Sequence, residues 1–218
     1  MAFISCRGWF ETIPYMNDLI LKIYKIMLKD IILKNRSYRR FDQDHKIDLT
    51  ILRELVELAR LSGSSGNLQP LKYILVSDID NNEKIFPFMA WAKYLKDWPG
   101  PAEGERPSAY IILLWDTSIC PSKLPYDAGI CAQSILLGAV EKGLGGCMLA
   151  SVNREGLRKA LDISDEYEIP LVIALGKPAE TVVIDDIGPD GKIEYWRDDK
   201  QVHHVPKRKL KELIIREY

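Results

Sequence analysis

The sequence has little of what marks a metal-binding, membrane or nucleic-acid-binding protein. Its four cysteines form no C-x-x-C pair and show no metal-ligand spacing with the three histidines, so we expect no metal site and reduced, idle thiols. No apolar run reaches the ~18–20 residues that a membrane-spanning helix needs. The first residues also lack the charged and apolar regions of a secretory signal. With 30 basic and 31 acidic residues there is no broad positive field for nucleic acid. We therefore expect a cytoplasmic protein that binds neither membranes nor nucleic acid.

The chain does contain a clear helical pattern in its first half. Its 218 residues suit one domain with a sizeable core. Leu52, Leu55, Val56 and Ala59 share one helix face, which predicts an amphipathic helix over residues 48–61. Asp48 is the predicted N-cap of this helix.

A second predicted helix, residues 128–142, is apolar on nearly every face. This indicates burial in a domain core or a subunit interface. Gly143 is its predicted C-cap and Asp127 its predicted N-cap. Short apolar runs predict buried strands at 73–76, 110–115, 144–149 and 169–175. Because helices and strands alternate without a strict βαβ rhythm, we predict an α+β fold with a sheet flanked by helices.

The sequence predicts two unequal parts. Residues 27–218 are expected to form a single domain, and residues 1–26 an N-terminal extension of uncertain role. Two interpretations of the extension stay open. It is either the product of an early start codon or an arm that packs on a neighbouring molecule, since residues 18–33 are compatible with a helix.

Two polar segments point to ligand binding. The first, Arg36-Ser37-Tyr38-Arg39-Arg40-Phe41, is rich in cations; the second, Ser64-Ser65-Gly66-Asn67-Leu68-Gln69-Pro70, lies between an apolar helix and a strand. A polar segment between two core elements is expected at the surface, where binding residues concentrate. Cations, hydroxyls, amides and backbone N–H groups fit a large, flat ligand with a phosphate tail. Taken alone, the first segment also fits an ordinary solvated turn.

These segments, in this order, resemble the nitroreductase family of FMN-dependent oxidoreductases. Residues 127–149 (DAGICAQSILLGAVEKGLGGCML) resemble the family's central helix and glycine-rich stretch. Residues 170–178 (PLVIALGKP), followed by Lys207-Arg208-Lys209-Leu210, resemble its closing strand and basic C-terminus. The resemblance covers roughly residue 27 to the end. It implies an α+β fold with a central mixed or antiparallel sheet and an intertwined homodimer with FMN at the subunit interface.

The resemblance also implies which residues hold FMN. Arg36 and Ser37 correspond to the phosphate and ribityl end, and Arg39 to a cation at the O2 and N1 edge of the ring. Lys207 and Arg208 correspond to a C-terminal phosphate clamp.

Two further groups complete the implied site. The polar loop reaches FMN across the dimer interface through Ser64, Ser65, Asn67 and Gln69. The backbone near flavin N5 corresponds to Met148, Leu149 and Ala150.

The sequence departs from the family pattern at four positions. Asn35 stands where the family usually has an arginine, so either Arg36 or the C-terminal cations take over the phosphate. Gly63 replaces a proline and Leu71 a tryptophan beside the polar loop. Ala150 stands where some relatives have a glutamate that holds a water near N5.

Several other residues are candidates for substrate or metal binding. Trp91, Tyr94 and Trp98 are candidates for stacking on a substrate, although aromatics at such spacings more often pack in a core or an interface. His203 and His204 are set aside as metal ligands, because adjacent residues in a strand point to opposite faces.

The predicted function is an FMN-dependent oxidoreductase. Hydride passes from NADH or NADPH through flavin N5 to an oxidised acceptor, such as a nitroaromatic or a quinone, by a ping-pong mechanism. No Rossmann G-x-G-x-x-G fingerprint is present, so the nicotinamide is expected to stack on the flavin. The alternatives are an FMN-binding protein with little turnover and a same-fold enzyme of different reaction, such as a reductive dehalogenase.

Overall fold

A computed structural model describes residues 28–122 and 125–218 of the chain. The chain divides into two compact units, residues 1–34 and 35–218. The first unit contributes one described helix, α1 (Leu28–Lys34). The predicted extension, residues 1–26, lies outside the described residues. Within the part that the structure describes, every helix is too short or too polar to cross a membrane.

The second unit alternates helices and strands along the chain. Its first half contains β1 (Phe41–Asp42), α2 (Leu49–Arg60), β2 (Leu71–Val76), α3 (Ile79–Ile85) and β3 (Ala109–Asp116). Its second half contains α4 (Pro125–Glu141), β4 (Gly145–Leu149), α5 (Arg154–Ala160), β5 (Tyr167–Glu168), β6 (Val172–Pro178), β7 (Val182–Asp186), β8 (Trp196–Arg197), β9 (His203–Lys207) and α6 (Leu210–Leu213). Short 3₁₀ turns lie at Ser65–Asn67 and Phe86–Phe88.

The central sheet is antiparallel in all of its described pairings. Its order is β1-β6-β3-β2, with β4 also paired to β6 and β5 to β3. Strand β3 pairs with β2 from Leu71 opposite Trp115 to Val76 opposite Tyr110. Strand β4 pairs with β6 from Gly145 opposite Gly176 to Leu149 opposite Val172. The predicted α+β class is confirmed, and a sheet of this kind flanked by helices is the predicted architecture.

Alternate residues of the central strands feed two apolar clusters. On β3, Ile111 and Leu113 pack with α2 and α4, whereas Tyr110, Ile112 and Leu114 pack with α3 and α5. Helices cover both faces of the sheet, so all residues of β3 are buried. Side chains that point to either face are therefore apolar along most of the strand. Helix α4 buries one face in this core, with Ala132, Ile135 and Ala139 fully covered, whereas Tyr126 and Ile130 on it are exposed.

Of the two predicted ends of α4, the C-terminal one is correct and the N-terminal one is wrong. Gly143 follows the helix with φ 74°, and its N–H donates to the carbonyl of Val140 at 3.0 Å, which confirms the glycine terminus. The N-cap assignment of Asp127 is wrong, because α4 begins at Pro125 and Asp127 lies inside its first turn.

Much of the polar C-terminal region forms a second sheet. Strand β9 pairs in parallel with β7 and antiparallel with β8, in the order β7-β9-β8. Its alternation places His203 inside, at 1% exposure, and His204 beside the carboxylate of Asp185 at 2.7 Å. Because β9 turns a polar histidine inward, its sequence lacks the apolar alternation of a half-buried strand. The hydrophobic periodicity therefore did not predict β9.

The packing of α4 on α2 gives a matched pair of stability predictions. A Cβ at Gly138 meets Leu58 Cδ1 at 2.3 Å and Leu55 Cδ2 at 3.1 Å, whereas a Cβ at Gly129 meets nothing within 4 Å. Gly138→Ala should lower the free energy of unfolding by about 1–3 kcal/mol through overpacking. Gly129→Ala, in the same helix, should raise it by about 0.5–1 kcal/mol. Chemical unfolding of both variants checks this, and equal effects would contradict the packing described.

Candidate functional site

Three cationic side chains converge on one cleft of about 230 Å³. They are Arg36, Arg39 and Lys207, all predicted from the sequence as cofactor-binding. The other lining residues are Asn35, Ser37, Tyr195, His203 and Val205, so none of the described residues that line the cleft is acidic. A cluster of cations beside a hydroxyl, in a cleft without an acidic lining residue, is a receptor for an anion such as a phosphate.

The Arg36–Arg39 segment is held against the start of β4. Ser37 forms a parallel bridge with Gly146, and the Tyr38 N–H donates to the Gly146 carbonyl at 3.0 Å. A Cβ at Gly145 would meet the Tyr38 ring at 2.5 Å, so the glycine permits this close approach. The basic segment and the glycine-rich stretch, far apart in sequence, therefore meet as the family resemblance implies.

A buried carboxylate fixes the backbone of the same segment. Glu180 Oε1 accepts the N–H of Arg39 and the N–H of Arg40, the latter at 3.1 Å. Its Oε2 accepts from Arg197 Nη2 at 2.9 Å, and the side chains of Glu180 and Arg197 are only 2% and 8% exposed. One carboxyl group thus ties the cationic segment to β8.

Arg197 and Arg40 also enclose Trp98. The guanidinium carbon of Arg197 lies 4.4 Å from the centre of the Trp98 ring and that of Arg40 lies 5.9 Å from it. Arg40 is paired in turn with Glu105 at 3.2 Å. The indole that was a candidate for substrate stacking therefore packs on two arginines of its own chain.

Three groups hold the guanidinium of Arg39. Its Nη1 donates to the carbonyl of Ser37 at 3.2 Å and lies 3.3 Å from His203 Nε2. The Tyr195 ring stacks on it, with 4.7 Å between the guanidinium carbon and the ring centre. Because Arg39 can only donate, His203 must present an unprotonated Nε2 to it.

The surroundings of His203 keep its ring neutral. Burial, followed by the positive charge of Arg39, lowers the pKa of His203 to about 4, while Glu180 opposes the shift. Arg197 and His204 add smaller effects in the lowering direction. The cleft therefore keeps a neutral acceptor beside its cation at neutral pH.

The other candidate aromatics differ in their access to the cleft. Tyr94 is 40% exposed, and its ring lies 4.9 Å from that of Tyr195. Trp91 is half-buried, packs beside Phe86 at 6.0 Å and covers Gly100. Tyr94 is thus connected to the cleft through Tyr195, whereas Trp91 packs in the core.

The polar loop is anchored to Asp127, which explains the burial of that carboxylate. Ser64 Oγ and Ser65 Oγ each donate to Asp127 at 2.6 Å, and the Ser65 N–H donates to it at 3.0 Å. Burial acts to raise the pKa of Asp127, but the hydrogen bonds from Ser64 and Ser65 together lower it below its usual value. The carboxylate is therefore charged, and it orients the start of the loop rather than capping a helix.

The far end of the loop is exposed and has an unusual backbone. Asn67 and Gln69 have φ of 56° and 52°, and Gln69 Nε2 donates to Asn67 Oδ1 at 3.1 Å. Non-glycine residues in this region are uncommon and often functional. None of the loop residues 64–69 lines the cationic cleft.

The remaining predicted residues, Met148, Leu149, Ala150 and Arg208, do not line the cleft. On β4, Met148 is half-buried and Leu149 buried, and the exposed Ala150 offers its carbonyl to Arg154 Nη2 at 2.9 Å. Arg208 follows β9 directly and is exposed, but it does not line the cleft.

Sequence reasoning missed Glu180, Tyr195 and the role of His203. The opposite-face argument for His203 and His204 holds, yet it addressed only metal binding and not a contact with Arg39. Neither Glu180 nor Tyr195 lies in a motif, so their contacts with Arg39 had no signal in the sequence.

The family model named "Nitroreductase family" matches residues 32–103 and 109–177 of the chain. The chain belongs to the nitroreductase family. MhqN of Bacillus subtilis, named as an NAD(P)H nitroreductase, is 25% identical over 184 residues, which cover 66% of this chain and 85% of that protein.

Solved structures show the same fold. A nitroreductase family protein from Streptococcus pneumoniae has a TM-score of 0.61 at 18% identity and covers 75% of this chain and 96% of its own. An Exiguobacterium sibiricum protein, solved in complex with FMN, has a TM-score of 0.59 at 17% identity and covers 71% and 89%. The predictions of the family, of the fold and of an NAD(P)H-linked FMN oxidoreductase class are confirmed at the family level. The site residues and the dimer stay predictions.

The buried Glu180–Arg197 pair predicts a large cost for removing one charge. Glu180→Gln keeps an oxygen for the two backbone N–H groups but leaves Arg197 buried without a carboxylate. Its free energy of unfolding should fall by about 3–5 kcal/mol, and Glu180→Gln/Arg197→Met should recover much of this. The control is Glu57→Gln, which breaks the exposed pair with Arg60 and should change little. Urea unfolding gives all three values, and a loss in Glu180→Gln no larger than in the control would contradict this account.

His203 predicts a specific pH dependence. Since its pKa is lowered in the folded state, the unfolded chain binds a proton first as the pH falls below about 6.5. Stability should therefore decline from pH 6.5 toward pH 4, and His203→Gln should flatten this decline. His204→Gln is the control, because its ring contacts Asp185 and Asp198 instead of Arg39. The measurement is the free energy of unfolding of each variant at pH 7 and pH 5. If His203→Gln and wild type lose the same stability between these pH values, the lowered pKa of His203 is contradicted.

Proposed function

We propose that this protein is a homodimeric FMN-dependent oxidoreductase that passes hydride from NADH or NADPH to an oxidised acceptor. The observation that carries the proposal is the meeting of Arg36, Arg39 and Lys207 around Ser37 in a cleft whose described lining contains no carboxylate. A flavin phosphate is dianionic and needs such a set of donors. The residues present therefore fit the cofactor of the family.

Within this proposal the cations have separate tasks. Arg36, Ser37 and Lys207 hold the phosphate and ribityl end, with Arg208 alongside, so the cluster offsets the missing arginine at Asn35. Arg39 faces the pyrimidine edge of the ring. FMN supplies the redox chemistry by accepting a hydride at N5 and giving it up to the second substrate.

The protein's contribution at the ring is a fixed positive charge. Arg39 is held by the Ser37 carbonyl, His203 and Tyr195, and its backbone is held by Glu180. A preorganised cation stabilises negative charge that develops beside it without the cost of reorienting a side chain. We infer that Arg39 favours the reduced, anionic form of the ring.

The place of the predicted loop outside the cleft supports the proposed homodimer. The Ser64–Gln69 loop does not line the cleft of its own subunit, so the loop of a second copy completes the site. Its anchoring by Asp127 presents the exposed amides of Asn67 and Gln69 outward. Exposed apolar side chains on α2 and α4 support an interface there, namely Leu58, Tyr126 and Ile130 at 37%, 69% and 42% exposure.

The donor and acceptor are proposed to use the same place in turn. No dinucleotide fingerprint is present in the sequence, so the nicotinamide stacks on the flavin and leaves before the acceptor arrives. Tyr94, exposed and packed on Tyr195, lies where it can contact a planar acceptor. A nitroaromatic or a quinone meets these requirements, because stacking needs few specific contacts.

A visible absorption spectrum tests the proposal directly. The purified protein should show flavin bands that bleach with anaerobic NADH or NADPH and return on adding menadione. Bands that never bleach would leave an FMN-binding protein with little turnover. No bands after adding FMN would overturn the proposal.

Arg39→Ala tests the assignment of the cation. Loss of a charge-assisted hydrogen bond, worth about 1.5–3 kcal/mol, should weaken FMN binding roughly 10–150-fold. It should also lower the flavin midpoint potential. Arg216→Ala, which removes an exposed arginine near the C-terminus, is the charge control and should change neither value. Unchanged affinity and potential in Arg39→Ala would refute the assignment.

A further inference from the structure

His203 lines the cationic cleft but is too buried to bind a ligand itself. It begins β9, is 1% exposed, and its Nε2 lies 3.3 Å from Arg39 Nη1. Because this nitrogen is already occupied by the guanidinium, any effect of His203 on a bound molecule must pass through Arg39. The role of the imidazole is therefore set by what it does to the cation beside it.

The Arg39 guanidinium is oriented by contacts with uncharged groups. Its Nη1 donates to the Ser37 carbonyl at 3.2 Å as well as to His203. The Tyr195 ring lies 4.7 Å from the guanidinium carbon and 5.2 Å from the His203 ring, so the two rings form one wall around the cation. Because arginine can only donate, the imidazole must accept at Nε2, and its own proton then lies on Nδ1.

The acidic groups around Arg39 are either engaged elsewhere or protonated. Glu180 turns its carboxylate to the backbone N–H groups of Arg39 and Arg40 and to the side chain of Arg197. The thiol of Cys147, on β4, is buried, which raises its pKa above the usual value, although the charge of Arg39 opposes the shift. Among the described residues, the contacts of the guanidinium therefore orient it without joining it to an anion.

The charge of the acceptor decides what is left for a ligand. A carboxylate in contact with Arg39 would hold the guanidinium more tightly, but it would also cancel the positive charge that a bound anion meets. A neutral acceptor fixes the direction of the guanidinium and leaves its charge in the cleft. Such a fixed cation stabilises a neighbouring negative charge without the cost of turning a side chain.

We propose that His203 is a positioning residue of the cleft, which orients Arg39 toward an anionic ligand without neutralising it. The inference rests on the proposed function, in which that ligand is FMN and Arg39 faces the pyrimidine edge of the ring. Removal of the imidazole lets the guanidinium turn away from the ring. A carboxylate at position 203 keeps the guanidinium in place but cancels its charge.

Three substitutions at position 203 separate orientation from charge. His203→Leu removes the acceptor, His203→Gln keeps a neutral acceptor, and His203→Glu supplies a charged one of the same size as glutamine. FMN binding to the apoprotein of each variant is measured at pH 8 by the quenching of flavin fluorescence. His203→Leu should weaken binding about 2–10-fold, and His203→Gln should restore most of this loss.

The pair of His203→Glu and His203→Gln tests the charge alone. His203→Glu should bind FMN about tenfold or more weakly than His203→Gln. The midpoint potential of its bound flavin should also be lower, because less positive charge faces the reduced ring. His204→Gln is the control, since its ring contacts Asp185 and Asp198, and it should change neither value.

A double-mutant cycle shows whether His203 acts through Arg39. In the Arg39→Ala background there is no guanidinium to orient, so His203→Leu should change FMN affinity less than it does in the wild-type chain. Equal losses in both backgrounds would assign His203 a packing role only and overturn the inference. FMN affinity in His203→Leu and His203→Glu equal to that of wild type would also overturn it.

The tautomer of His203 tests the same contact without any flavin. Long-range ¹H–¹⁵N NMR of the full chain at pH 7, assigned by the signal lost in His203→Gln, should show the proton on Nδ1 and a bare Nε2. A proton on Nε2 would overturn the inference even in a chain that binds FMN. A wild-type chain that binds no FMN would refute the proposed function, whereas the tautomer still decides whether His203 accepts from Arg39.

Discussion

The cationic cleft depends on one buried carboxylate. Glu180 accepts the backbone N–H groups of Arg39 and Arg40 and pairs with the side chain of Arg197, so one carboxylate joins the cationic segment to β8. Glu180 does not line the cleft. Its negative charge therefore neutralises the buried Arg197, which lies outside the cleft. Arg36, Arg39 and Lys207 keep their attraction for an anion. A carboxylate inside the cleft would have cancelled the field that makes the site useful.

The parts of the fold that sequence predicted are those set by local patterns. The helix over 48–61, the 128–142 helix and the strands around 73–76 and 110–115 each carry an apolar period or run that is visible in a short window. The family resemblance added Arg36, Ser37, Arg39 and Lys207, and the structure brings these four residues into one cleft. Motif order was enough here because Ser37 bridges to Gly146 of β4 and Lys207 ends β9, so strand pairing fixes where these segments lie.

The parts that sequence did not predict are long-range polar contacts. Glu180 meets Arg39 across 141 positions and His203 meets it across 164. Asp127 meets Ser64 across 63 positions, and its place in the first turn of α4, directly before the apolar run, led to the wrong prediction of a cap. Such contacts lack a period, and a polar residue that becomes buried looks in sequence like a solvated one. The second sheet was missed for the same reason, since β9 turns a histidine rather than an apolar side chain inward.

The anchoring of the loop limits what its serines can offer a ligand. The hydroxyl of Ser64 and that of Ser65 each donate a hydrogen bond to Asp127. Ser64 Oγ also accepts from the Gln69 N–H at 2.9 Å. A serine in this state can accept from a ligand but cannot donate to it. Gln69 Nε2 also donates within the loop, to the carbonyl and the Oδ1 of Asn67, so the side-chain amide of Asn67 is the main donor left for a ligand. The positive φ of both residues points to a fixed presentation of this end of the loop. The serines act mainly as the base of the loop, and the exposed amides are the groups that would meet a second subunit in the proposed homodimer.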